Sequence, residues 1–218
     1  MPFENRAEAG QRLARRLDSY RGQKALVLAI PRGAVPMGKI VADALNGELD
    51  VVLVRKLRAP GNPELAIGSI DETGIVYLDP DTRNLWSEAY LAEEKHVQLE
   101  TLQRRRQMYE PAGSPIDAAG RVAIVLDDGI ATGSTMIAAL RAVRARHPAK
   151  LIAATGVASP GVLRLIRREA DEVVCLETPS VLYAIGYHFR DFSQVSDEEV
   201  VATLREARRP HASAGAST

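Results

Sequence analysis

One cysteine, Cys175, stands in 218 residues. No internal disulfide can form, and a thiolate metal cluster is excluded. An excess of charge of one sign is missing too, because 28 lysines and arginines meet 28 aspartates and glutamates. Nucleic-acid binders carry a basic excess, so no nucleic-acid partner is expected. No run of about 18 apolar residues occurs, which excludes a helical membrane span. His96, His147, His188 and His211 are scattered, without the paired spacing of a zinc site. The opening MPFENRAEAGQRLARRL has charges every few residues and no apolar core, unlike a secretory signal. Internal repeats and long linkers are absent. Together these absences predict one soluble, cytoplasmic domain over residues 1–208, with no membrane partner and a small, polar, disordered tail at 209–218.

What is present has the balance of a globular protein, 46% hydrophobic and 26% charged. Asn5 caps a first helix, with Glu8 in capping-box position and Ala9, Leu13, Leu17 and Tyr20 at near-helical spacing. Gly10 inside that helix costs about 1 kcal/mol relative to alanine. ALVLAI (25–30) is the continuous apolar run that a parallel sheet buries on both faces. It stops at Pro31-Arg32-Gly33; a helical pattern over 35–45 and the run LDVVLV (49–54) complete a βαβ unit. The rhythm breaks over 55–83. Pro60 to Pro63 read as a loop, and AIGSID and GIVYLD flank Glu72-Thr73-Gly74 as a β-hairpin. A long helix follows over 84–108, with Arg104, Arg105 and Arg106 on a solvated face, and then a loop at 113–120. The strand VAIVLD, a helix over 136–146, the strand LIAATGVA, a helix over 160–170 and the strand EVVCLE come next. A last helix spans 197–208, its acidic first turn suited to the helix dipole. Cys175, inside EVVCLE, reads as inert core.

The chemistry is concentrated in VAIVLDDGIATGSTMIAAL (122–140). A buried strand ends in two adjacent carboxylates, Asp127 and Asp128, and Gly129, Thr132, Gly133, Ser134 and Thr135 then open a helix. Backbone N–H groups at a helix start, among residues small enough for close approach, form an anion site suited to phosphate. The lysine of a Walker A loop and the GxGxxG dinucleotide pattern are both missing. Carboxylates beside a phosphate repel it unless they face another part of the ligand. A pair of ribose hydroxyls or a hydrated Mg²⁺ meets that need.

VAIVLDDGIATGSTM resembles the phosphoribosyl-pyrophosphate (PRPP) signature of the type I phosphoribosyltransferases: four apolar residues, two acids, and a small-residue loop ending T-G-x-T. The resemblance implies that α/β fold, a central, mostly parallel sheet flanked by helices, with a flexible β-hairpin loop and a small hood of C-terminal segments at about 176–196. It implies Asp127 and Asp128 on the ribose hydroxyls and, through water, on Mg²⁺. Gly129, Ile130, Ala131, Thr132, Gly133, Ser134 and Thr135 would surround the 5′-phosphate. Pro31-Arg32-Gly33-Ala34 is similar to the family's pyrophosphate loop, and Arg55-Lys56 ends the next strand, where such enzymes place a basic contact to the same group. The segment 57–79 corresponds to the mobile loop over the site. In LETPSVLYAIGYHFRDFSQV (176–195), four of the ten aromatic residues fall between Tyr183 and Phe192. Phe189-Arg190-Asp191 is similar to the hood of the hypoxanthine-guanine group, which puts Arg190 at the pyrophosphate. Tyr183 becomes the ring that stacks on the base, with Ile130 also facing it, or else these aromatics close a small subdomain. The catalytic roles fall to Asp127, Asp128, Lys56 and Arg32.

The implied activity is Mg²⁺-dependent transfer of the 5-phosphoribosyl group of PRPP to a nitrogenous base, or another nitrogen acceptor, with release of pyrophosphate, as in nucleotide salvage by a homodimer. The alternative is a PRPP-binding sensor with this fold and no catalysis. Two departures leave the base open. Ala131 stands where the 6-oxopurine enzymes carry an acid, and Ala158 lies near where they carry a lysine. RKLRAPGNPELAIGSID and the SQVSDEEV ending look most like a bacterial group of predicted phosphoribosyltransferases with no assigned base.

Overall fold

The structure, a computed structural model, describes residues 2–78 and 85–209 and, within them, all side chains but those of Pro63, Glu64 and Pro111. Helix α1 (Arg6–Arg16) starts where the Asn5 side chain accepts the Glu8 N–H at 3.1 Å. The Glu8 carboxylate accepts the N–H of Glu4, one residue before the expected partner. Helix α2 (Ala34–Leu45) lies directly against α1, and Gly10 explains how closely: a Cβ there would sit 3.3 Å from the Met37 backbone Cα. Gly10→Val is therefore expected to cost about 1–3 kcal/mol through overpacking. Urea unfolding measures it, and an unchanged midpoint would count against this close approach.

Five parallel strands form the central sheet: β1 (Leu26–Ala29), β2 (Glu48–Val51), β6 (Val122–Ile130), β7 (Lys150–Ala158) and β8 (Glu172–Glu177), in the order β2-β1-β6-β7-β8. Helices cover both faces, so each strand buries side chains in two directions. Val27, Ala29, Ile124 and Leu126 join the core under α1, α2 and α6 (Asp197–Ala207). Leu26, Leu28, Ala123 and Val125 join a second core under α4 (Ser134–Arg144) and α5 (Pro160–Ile166). The remaining strands, β3 (Val54–Ala59), β4 (Asn62–Asp71) and β5 (Val76–Leu78), make a separate antiparallel sheet. It packs against α4 and the long helix α3 (Glu88–Tyr109), burying Leu57, Ile67 and Ile70. No helix among the described residues is long and apolar enough to cross a membrane.

The expected parallel sheet flanked by helices, with its hairpin, is present. Several boundaries differ. LDVVLV is not one strand: β2 stops where its partner β1 stops, and β3 starts the second sheet. The loop at Pro60 to Pro63 narrows to a turn at Pro60-Gly61, with Gly61 at φ +70°, so that β3 and β4 are themselves a hairpin. The turn at Gly74 (φ +87°) joins β4 to β5 as expected. β6 does not end before its acids; β7 is long enough to pair with it through Asp127, Gly129 and Ile130. The helices expected over 136–146 and 160–170 are α4 and α5, each ending sooner. The tail lies outside the described residues from 210 onward.

One more expectation is overturned. Arg106 is not on a solvated face: it bonds both oxygens of Glu72, approaches the fully buried Asp50 at 3.6 Å and points its Nη2 at the Val51 carbonyl. A helix as exposed as α3 buries only a narrow stripe, and Arg106 shares it with Gln98, Leu102 and Tyr109. Cys175 is half-buried in β8, where burial pushes its thiol up to about 11. It carries almost no thiolate at neutral pH, in keeping with the inert reading.

Candidate active site

Ligands of open α/β sheets bind beyond the C-terminal ends of the strands, and the two acids lie there, at the end of β6. Both are half-buried. The Asp127 carboxylate accepts the Asp128 N–H at 2.9 Å, which ties the two residues together. Burial pushes Asp127 well above the usual carboxylate range, and the charge of Asp128 adds to the shift. Burial also raises Asp128, against the opposing pull of Arg6. Two glycines make room here. A Cβ at Gly156 on β7 would sit 2.7 Å from the Asp128 carbonyl oxygen, and one at Gly33 would collide with the Asp128 carboxylate. The Pro31–Gly33 segment and the end of β6 therefore touch.

After β6 the chain passes through exposed Ala131 and Thr132 to Gly133, whose φ of +87° turns it into α4. Thr132 and Ser134 hydroxyls lie 3.3 Å apart, and Thr135 is exposed. No side chain caps the start of α4, and this helix start with its hydroxyls follows the acids directly in the chain, an arrangement suited to an anion. Ile130 departs from its expected role. It is buried in the core under α4 and α5, so it does not face a base. Ile185 of the C-terminal segment instead packs directly on Gly129.

The expected cations separate. Arg32 reaches Asp197 at the start of α6 at 3.3 Å, and the buried Tyr109 hydroxyl donates to the same carboxylate at 2.8 Å. Arg55 donates to Gln98 of α3 at 2.6 Å. Lys56, one residue on, faces the other side of β3 into a cavity of about 210 Å³ shared with Ser69, Tyr77, Ser134 and Arg141. It lies by the first turns of α4. Arg190 is 65% exposed and pairs with Glu4 at 3.0 Å. Tyr183 is 85% exposed.

One residue of the site was not anticipated. Arg6, at the first position of α1, donates to Asp128 Oδ2 at 2.9 Å. A positive charge at a helix N-terminus opposes the dipole, and that local cost was the available signal. Phe3 was missed too: it is fully buried, bridged to Phe189 and tilted against its ring at 5.0 Å.

Residues 3–189 match the model of the phosphoribosyl transferase domain. The chain belongs to that family. Two curated Mycobacterium tuberculosis proteins, named "Putative phosphoribosyl transferase" MT0597 and Rv0571c, are each 42% identical to it over 217 residues, or 98% of this chain. The match covers 49% of each relative, so the chain spans about half the length of these curated relatives. Among solved structures, TT1426 from Thermus thermophilus is 40% identical and superposes with a TM-score of 0.88, covering 94% of this chain and 99% of that one. This phosphoribosyl transferase domain therefore shares its overall fold with a solved protein of nearly the same extent.

Proposed function

We propose that this phosphoribosyl transferase domain moves the 5-phosphoribosyl group of PRPP to a nitrogen acceptor of nucleobase type, releasing pyrophosphate. One observation carries the reading: two linked carboxylates at the end of a parallel strand adjoin a glycine-turned helix start, matching a ribose beside its own 5′-phosphate. The acceptor nitrogen forms a bond to C1 of the ribose, and the C1–O bond to pyrophosphate breaks with its electron pair leaving on pyrophosphate. The acceptor's proton passes to solvent. Asp127 and Asp128 hold the ribose hydroxyls and face the positive charge that develops on the ring. The N–H groups and hydroxyls of 131–135 hold the 5′-phosphate, and Arg32, on the segment touching Asp128, neutralises the leaving group.

Among the described residues, no group of three or more His, Cys, Asp or Glu side chains is placed to hold a metal. A pair of carboxylates offering only oxygen does suit Mg²⁺, which keeps several waters and shares substrate oxygens. Bound at Asp127 and Asp128 through water, Mg²⁺ would supply further positive charge for the pyrophosphate.

The sensor reading draws on a different observation. Arg32, Arg55 and Arg190 are engaged by Asp197, Gln98 and Glu4, so fewer free cations attend the leaving group than the resemblance implies. Pyrophosphate release from PRPP and Mg²⁺, with and without a pool of purine and pyrimidine bases, separates the two. Release that depends on the pool supports transfer, and splitting the pool names the acceptor. PRPP binding with no release above the base-free control would overturn transfer in favour of the sensor.

A further inference from the structure

We infer that Arg6 is a positioning residue for the ribose site, orienting the Asp128 carboxylate and coupling it to the hood segment; this rests on the proposed ribose role of Asp128. Three contacts fix one guanidinium. Its Nε donates to Asp128 Oδ2 at 2.9 Å, its Nη1 donates to the Ser193 carbonyl at 2.6 Å, and its carbon lies 3.9 Å over the centre of the Phe192 ring. The Arg6 and Asp128 side chains are each only 13% exposed, so the pair is little screened by solvent. A planar guanidinium held on three sides has one orientation, and it passes that orientation to the carboxylate it binds. A carboxylate has about four acceptor sites, so the Arg6 bond leaves capacity for a ribose hydroxyl.

The same residue links the site to the hood through the N-terminal segment. The Phe3 N–H donates to the His188 carbonyl at 2.7 Å, and the N–H groups of Arg190 and Asp191 donate back to Phe3 and Glu4 at 2.8 and 3.0 Å. Phe3, Phe189 and Phe192 form a continuous row of rings, and Arg6 caps its last member. Arg12 makes a second tie from α1, to Glu177 at 2.8 Å, and stacks 4.8 Å over Phe3 at the other end of the row, with no hydrogen bond to Asp128. Two arginines of one helix thus hold the C-terminal segment, and Arg6 is the one that also holds the site. Arg12→Met therefore reports the loss of a tie and of a ring contact without the loss of a bond to Asp128.

Binding of ribose 5-phosphate and of inorganic phosphate, each followed by ³¹P NMR titration, tests the assignment without leaving group, acceptor or metal. Inorganic phosphate needs only the loop of 131–135, whereas ribose 5-phosphate also needs oriented carboxylates. Arg6→Met is expected to weaken ribose 5-phosphate at least about tenfold, the loss of one charge-assisted contact, and to leave inorganic phosphate unchanged. Arg6→Lys is expected to recover part of the loss, and Arg12→Met to leave both ligands as in the wild type. Phe192→Leu keeps every charge while removing the ring beneath the guanidinium, and is expected to weaken ribose 5-phosphate about threefold, a share of a cation–π contact. It serves equally if Arg6→Met does not fold. Equal affinity for ribose 5-phosphate in Arg6→Met or Phe192→Leu and in the wild type overturns the inference, as does parallel loss of both ligands. Wild-type protein that binds neither ribose 5-phosphate nor PRPP overturns the ribose reading itself, and the inference with it.

Discussion

Asp127→Asn is expected to lower phosphoribosyl transfer at least about tenfold while making the folded protein more stable at pH 7. The two effects share a cause. Burial, and then the charge of Asp128, hold the Asp127 carboxyl well above its ordinary value. The folded state therefore keeps the proton more tightly than the unfolded chain, whose carboxylates titrate at about 4. Stability from that tightly held proton is complete below about pH 4 and is lost as pH rises through the raised folded value. The amide carries no such loss, and its oxygen can still accept the Asp128 N–H. The stability gap between variant and wild type should thus open upward from about pH 4, read by urea unfolding across pH 4 to 8. A gap that stays flat, or a variant less stable at pH 8, would remove the argument that the charge is held at a cost. Asp128→Asn is expected to share the tenfold loss in turnover, because the amide cannot offer both oxygens to Arg6 and the ribose.

Arg106→Met is expected to cost about 3–5 kcal/mol, the range for breaking one partner out of a buried ion pair. Glu72 lies in the turn between β4 and β5, Asp50 on β2, and Arg106 on α3; one guanidinium joins all three elements. Burial alone would lower the Arg106 pKa, but the bonds and charges of Glu72 and Asp50 outweigh it and hold the group raised. Removing Arg106 leaves two buried carboxylates. Arg146, 3.7 Å from Glu72, and Arg208, 3.6 Å from Asp50, compensate in part, which favours the lower end of the range. Arg104→Met, at an exposed position two residues away, should change stability by less than about 0.5 kcal/mol. Similar losses in the two variants would show that Arg106 contributes through helix propensity and not through its partners.

The contrast between these two residues also marks the limit of what a sequence displays. The β6–loop–α4 segment was legible because everything it needs is contiguous: apolar run, two acids, glycine turn and hydroxyls lie within fifteen residues. The same held for α1 and its Asn5 cap, and for α6, whose Ser196 and Glu199 complete a capping box. These are local devices, set by hydrogen bonds over three or four residues. Arg106 was misread because its two neighbours are arginines as well, and helical rotation alone does not say which of three successive residues meets the buried stripe.

Arg55 and Lys56 present the same problem in a strand. Adjacent side chains must face opposite ways, so only one can look toward α4, yet both are basic. The choice fell to the packing of β3 between α3 and α4, which turned Lys56 to the cavity and Arg55 to Gln98. Arg6 needed still more. Its partners stand 122 residues away at Asp128 and 187 away at Ser193. No local rule reaches that far. By itself the sequence determined the parallel sheet, the paired carboxylates and the glycine-turned start of α4, because short-range periodicity and backbone geometry specify them. Which cations reach those residues, and that Arg6 of the first helix meets Asp128, was decided by tertiary packing, where charge finds its partner by position in space.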